Sequence, residues 1–150
     1  MRKDLDKLKA LGRNVQAAGD YDPSVLDAFD NQHPGRDYWV TFTCPEFTTL
    51  CPKTGQPDYG TITFEYIADK LCVELKSLKF YLQAYRNEGV FYERLTNQIL
   101  DDMVSTMQPR YIKVTAEFTP RGGLHSKIVV EHADPEWGGT CACGCNCGRE

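Results

Sequence analysis

The sequence predicts an α+β fold, a four-stranded antiparallel sheet with two helices on one face, in the order strand, strand, helix, helix, strand, strand. Three observations carry that prediction. Ile62, Phe64 and Tyr66 alternate with Thr61, Thr63 and Glu65, the period-two signature of a half-buried strand. Leu78, Tyr81, Leu82 and Tyr85 then recur at i, i+3, i+4 and i+7, which is one face of a helix. Period two returns at Ile112, Val114, Ala116 and Phe118, set against Lys113, Thr115, Glu117 and Thr119.

The remaining elements follow in order. Lys3 to Leu11 allows one or two amphipathic helical turns. From Gly12 to Arg36 the punctuation by Gly19, Pro23, Pro34 and Gly35 reads as loop, so residues 1–36 are expected to form an arm over the domain or a neighbouring subunit. The body, 37–132, opens with the aromatic and β-branched stretch from Asp37, a strand expected to end at Pro45. The second strand spans Gly60 to Ile67, and Lys70 to Glu74 is a short extended segment. A helix is predicted over Ser77 to Asn87, closed by Gly89. Another runs from about Phe91 to Met107 with Tyr92, Leu95, Ile99, Met103 and Met107 on one face, and Pro109 stops it. Pro120-Arg121-Gly122-Gly123 reads as a turn, and Leu124 to Glu131 as the returning hairpin strand. Residues 133–150 form a tail rich in Cys and Gly.

Composition narrows the function classes. A chain of 150 residues, 41% apolar and 25% charged, is an ordinary single globular domain. No apolar run approaches the roughly 20 residues a membrane helix needs, so no membrane partner is expected. The stretch Met1 to Lys9 is too charged for the apolar core of a signal peptide. A cytoplasmic location with reduced thiols is therefore expected, and seven cysteines, an odd number, argue against a complete disulfide framework. A net charge of −4 provides no electrostatic footprint for a nucleic-acid backbone.

The chemistry concentrates at Cys51-Pro52-Lys53-Thr54-Gly55-Gln56-Pro57-Asp58-Tyr59-Gly60. Two prolines and two glycines in ten residues force a loop, and its prolines limit the mutual geometries of Cys51 and Asp58. A nucleophile and its proton partner need such restriction. Cysteine spacing alone, with no assigned His, favours a surface turn instead. Lys76 and Lys79, three apart at a helix start, would project from one face beside outward backbone N–H groups, a serviceable phosphate site. Taken alone, two lysines are more often a solvated face. Glu74, ending an apolar run, must find a donor or remain in solvent. Four strands with helices on one face leave two open edges, and the first strand carries little charge. Edge pairing between subunits, closed into a ring, would remove them.

Glu74-Leu75-Lys76-Ser77-Leu78-Lys79-Phe80-Tyr81 resembles the signature of the NADPH-dependent 7-cyano-7-deazaguanine reductases, the QueF nitrile reductases of queuosine biosynthesis. The Cys51 to Asp58 loop is similar to that family's catalytic loop, at the expected distance. The segments Arg86 to Glu93 and Pro120 to Gly123 are also similar to family segments. The likeness covers roughly residues 36 to 132, in the correct order. It implies the tunnelling fold shared with GTP cyclohydrolase I, with subunits joined edge to edge in pentameric rings, two rings stacked as a decamer, and active sites at subunit interfaces.

The resemblance also implies roles. Cys51 would add to the nitrile carbon to give a thioimide, and Asp58 would transfer protons. Glu93 would hold the deazapurine through paired hydrogen bonds, with Val73, Glu74, Leu75 and Tyr92 around the base. NADPH would act as co-substrate, two molecules per turnover, with Lys76, Lys79 and Arg121 as phosphate contacts and no metal required. Many family members carry His where this chain has Tyr92, which shifts the proton load onto Asp58. No Gly-x-Gly-x-x-Gly follows a strand, so a Rossmann site is not expected and NADPH follows from the resemblance alone.

Two further function classes compete. One is a zinc hydrolase on the same fold, for which His33, Cys44, Cys72, His125 and His132 are the candidate ligands; strand cysteines more often serve as buried small hydrophobes. The other is a metal-binding module using Cys141, Cys143, Cys145 and Cys147. That alternating spacing is not the C-x₂-C pair of structural zinc sites, so no metal is expected there.

Overall fold

The computed structural model describes residues 20–139. The amphipathic turns expected at Lys3 to Leu11 and the cysteine run 141–147 lie outside the described residues. The strands are β1 (Ala28–Asp30), β2 (Trp39–Leu50), β3 (Pro57–Ile67), β4 (Leu71–Val73), β5 (Tyr111–Arg121) and β6 (Leu124–Ala133). Two helices, α1 (Leu75–Ala84) and α2 (Tyr92–Met107), fall between β4 and β5. The main sheet is antiparallel in the order β2-β3-β5-β6, and the two helices cover one face of it, as the periodicity predicts. A second sheet, β1 with β4, is an addition to that prediction.

The core is the inward face of the sheet against the apolar faces of the helices. Ile62, Phe64, Ile112, Val114 and Ala116 are fully buried beneath Tyr81, Leu95, Ile99 and Met103. Helix α1 stops at Ala84 and tightens into a 3-10 turn at Tyr85–Asn87, so its regular part ends earlier than the Asn87 expected from sequence. Helix α2 ends with Gln108 in the left-handed region, its N–H donating to the Val104 carbonyl, immediately before Pro109.

Strand β3 begins at Pro57, not Gly60, so the last four residues of the stretch read as loop pair with β2, and three further boundaries differ from the sequence expectation. The first strand does not end at Pro45. Cys44 pairs with Ile62 and Phe47 with Gly60, so three steps along β2 oppose two along β3, a bulge at Pro45 and Glu46. A proline in an edge strand at a bulge removes no ladder hydrogen bond, and the strand continues to Leu50. Likewise β5 continues through Pro120 to Arg121: Phe118 pairs with Ser126 and Arg121 with Leu124, again three steps against two. The turn is then Gly122–Gly123 alone, with φ of 58° and 82°, the two positive angles a tight two-residue hairpin requires. Finally, three residues read as arm form β1, too short to show a period.

Polar fastenings hold the segment before β2 to the domain. The hydroxyls of Tyr21 and Tyr81 both donate to Asp102 Oδ2 at 2.5 Å. Arg110 bridges Asp37 at 2.6 Å and Asp69 at 3.1 Å, and also donates to the Pro34 carbonyl.

Candidate active site

Each bulge reverses which residues of its strand face the core. Before the β2 bulge the even positions Val40, Phe42 and Cys44 turn inward; after it the odd positions Phe47 and Thr49 do, both buried. Cys51 continues the odd series at the hairpin end, where its N–H donates to the Gln56 carbonyl at 2.8 Å. Gly55, with φ of 67°, closes the loop by donating to the Cys51 carbonyl at 2.9 Å. Opposite, Asp58 lies on the inward face of β3 and is 6% exposed.

The start of α2 is delivered to the same place by backbone pairing. Leu50 N–H donates to the Glu88 carbonyl at 3.0 Å and Val90 N–H to the Leu50 carbonyl at 3.2 Å. Thr49 Oγ1 donates to the Glu88 carbonyl at 2.8 Å. Gly89 also lets Pro52 approach, since a Cβ there would stand 3.3 Å from Pro52 Cα. Tyr92, in the first turn of α2, stacks on Phe118 with ring centroids 3.7 Å apart and planes within 6°.

Four side chains therefore converge. The Cys51 sulfur receives hydrogen bonds from the Thr54 hydroxyl first, then from the Lys53 and Thr54 backbone N–H groups and Arg121, and its pKa falls to about 6. Such a nest of donors stabilises an anion. Arg121 Nη2 pairs with Asp58 Oδ1. The Tyr92 hydroxyl hydrogen-bonds Asp58, and burial followed by that carboxylate raises its pKa to about 12. Tyr92 is consequently a protonated donor at neutral pH. Glu93 is exposed beside it on the first turn of α2.

The other expected residues gather at a different place. Glu74 caps α1, accepting from Lys76 N–H at 2.9 Å and Ser77 N–H at 2.7 Å. Those amides are thus taken by a carboxylate of the chain itself, and the phosphate site expected at this helix start loses its backbone donors. The Val73 side chain belongs to the core, whereas Leu75 is 58% exposed. A cavity of about 600 Å³ opens between β2 and α1, with Glu74, Leu75, Lys76 and Lys79 in its lining. None of Cys51, Asp58, Tyr92, Glu93 or Arg121 lines it.

Sequence reasoning missed three participants. Thr54 is the leading donor to Cys51, and a hydroxyl three residues after a thiol in a closed loop is a readable signal. Gln83 and Arg86 extend the Lys76 and Lys79 row at the same helical spacing into the cavity. Gln83 Oε1 is buried there without a hydrogen-bond partner among the described residues. The proposed zinc ligands are not gathered: the described residues contain no group of three or more His, Cys, Asp or Glu able to hold a metal ion.

Comparison with known proteins shows the family. A family profile described as QueF-like protein matches residues 57–137. The NADPH-dependent 7-cyano-7-deazaguanine reductase of Rhodopirellula baltica is 59% identical over 110 residues, covering 73% of this chain and 91% of the relative. The chain belongs to the QueF family. Two further QueF relatives carry the same name. That of Bacteroides thetaiotaomicron is 56% identical over 130 residues, covering 87% of this chain and 86% of the relative. That of Bacillus cytotoxicus is 53% identical over 134 residues, covering 89% and 81%. The crystal structure of an archaeosine synthase QueF-Like in the apo form superposes with a TM-score of 0.59 at 22% identity, over 64% of this chain and 94% of that one. The superposition shows the tunnelling fold. No helix among the described residues is long and apolar enough to cross a membrane.

Proposed function

We propose that the chain reduces the nitrile of 7-cyano-7-deazaguanine to the aminomethyl group of 7-aminomethyl-7-deazaguanine, through a thioimide on Cys51, as a cytoplasmic step of queuosine biosynthesis. The observation that carries this reading is a Cys51 thiol with its pKa lowered to about 6, clustered with a carboxylate that Tyr92 and Arg121 hold. A nitrile carbon is electrophilic, and a thiolate is the side-chain nucleophile suited to it near neutral pH.

In this mechanism the sulfur forms a bond to the nitrile carbon, a π pair moves to nitrogen, and Asp58 relays there a proton taken up from solvent. NADPH, when bound, supplies hydride to the same carbon, twice per turnover. Between the two additions the carbon–sulfur bond breaks and its electron pair returns to Cys51. Asp58 then relays a second proton from solvent to nitrogen. One nitrile, two hydrides and two protons balance the amine.

Glu93 accepts hydrogen bonds from the base, while Tyr92 and the Val73, Glu74 and Leu75 segment flank it. With Val73 in the core and the Glu74 carboxylate capping α1, that segment offers chiefly backbone and the exposed Leu75. The residues of the β2–α1 cavity fit a nucleotide: Lys76, Lys79 and Arg86 bring cations for phosphate, and Gln83 Oε1 is an acceptor awaiting a ligand N–H. The mechanism requires no metal.

The active form in this reading is a homo-oligomer, two pentameric rings stacked as a decamer, with the Cys51 cluster of one subunit meeting the α1 cavity of its neighbour. Two features support this: the cluster and the cavity share no lining residue, and β2 and β6 are the outer strands of the sheet among the described residues. The test of the reaction is intact-mass analysis of protein mixed with 7-cyano-7-deazaguanine in the absence of NADPH. Wild type is expected to gain the mass of one nitrile per subunit and Cys51→Ala none. No adduct in wild type, or an adduct in Cys51→Ala, rejects the covalent step.

A further inference from the structure

The Arg121 guanidinium stands where two anionic groups can share it. It pairs with Asp58 Oδ1 through Nη2 and hydrogen-bonds the Cys51 sulfur. We propose that Arg121 is a positioning residue that ties the nucleophile to its proton partner and holds Cys51 as the attacking thiolate before any ligand arrives. The proposal rests on the reading of Cys51 as nucleophile, and gives Arg121 a task separate from any phosphate contact.

The placement of this side chain is built by the backbone. In an uninterrupted β5 the even residues Ile112, Val114, Ala116 and Phe118 face inward, so residue 121 would face away. The extra residue at the Thr119–Pro120 bulge reverses that alternation and brings Arg121 to the side of Phe118, Tyr92 and Asp58. The Gly122–Gly123 turn immediately after it fixes the hairpin end.

The partners require such a cation. The Asp58 side chain is 7% exposed, and a buried carboxylate needs donors. An arginine presents a rigid fork of several N–H groups and so can serve a carboxylate and a sulfur together, which the compact ammonium of lysine does less well. The charged or titratable groups around Cys51 are Lys53 in its own loop, Asp58 from β3, Tyr92 and Glu93 from α2, and Arg121 from β5. Of these, Lys53 contributes its backbone N–H, so Arg121 is the side-chain cation acting on the sulfur. Thr54 and the loop amides remain when Arg121 is replaced.

Alkylation of Cys51 by iodoacetamide across a pH titration, followed peptide by peptide to separate it from the other cysteines, tests the proposal without NADPH present. A lost phosphate contact therefore cannot imitate the effect. The wild-type midpoint is expected near pH 6. In Arg121→Gln it is expected to move upward by about one unit, an about tenfold loss of rate on the acid side. Arg121→Lys should fall between the two, and carries the test if the Gln variant fails to melt cooperatively. A folded variant of either kind with the wild-type midpoint overturns the proposal. The nitrile adduct of wild type is recorded alongside: its absence with the shift present rejects the nitrile reading alone, and its presence without the shift rejects the Arg121 role alone.

Discussion

A thiol at a hairpin end is mostly protonated at neutral pH unless donors converge on it. Four converge on Cys51, and the consequence is a pH dependence with a definite sign. The reactive form is the thiolate, so the rate of nitrile adduct formation should be level above about pH 6 and fall as pH is lowered through that value. Adduct mass followed against time at each pH checks this; a midpoint near that of an ordinary thiol, about 8.5, would contradict it. At this scale the sequence located Cys51 and Asp58, because Pro and Gly make the turn between them legible and a thiol is conspicuous, although Asp58 proves to lie within β3 rather than in the loop. It did not reveal that Tyr92 and Arg121 both reach Asp58. That depends on side-chain direction, and direction here is set by bulges no period reports.

Among the elements, α1 shows how one residue can serve the fold and border the site. Glu74 N–H donates to the Asp27 carbonyl at 2.8 Å, and its carboxylate takes two amides of the first helical turn. Glu74→Ala should therefore cost about 1 kcal/mol of stability, as loss of an N-terminal cap does, measured by urea or thermal denaturation. An unchanged midpoint would mean the cap contributes nothing net. The helices and the central strands were legible because each buries one face and keeps its period over many residues. The prolines misled for a physical reason. Pro45 and Pro120 normally signal an end, yet both sit at bulges where their missing N–H is harmless. The three residues of β1 are held by pairing with β4, a tertiary partnership that a local pattern cannot announce.

Across the whole molecule, the described residues make a half-covered sheet with two outer strands. Trp39 is 50% exposed on β2, and Val129 is 46% exposed on β6. Light scattering of the full chain should register an assembly larger than a monomer, and a stable monomer at working concentration would reject the ring. Val129→Lys, a charge placed on an edge strand, should then lower both the assembly mass and NADPH-dependent turnover. Alkylation of Cys51 should be retained in that variant, since its donors come from its own chain.

The bulge in β5 separates two kinds of mutational tolerance. Few side chains follow Pro120 before the turn, so removing that single residue would restore an uninterrupted hairpin and leave the core pattern of Ile112 to Phe118 intact. Arg121 would stay in the chain, pair with the same neighbour, and point to the opposite side. The alkylation profile of Cys51 would then read as though the arginine had been replaced. At this position a change of length equals a change of chemistry, so alignment gaps near Pro120 carry as much functional information as substitutions of Arg121 itself.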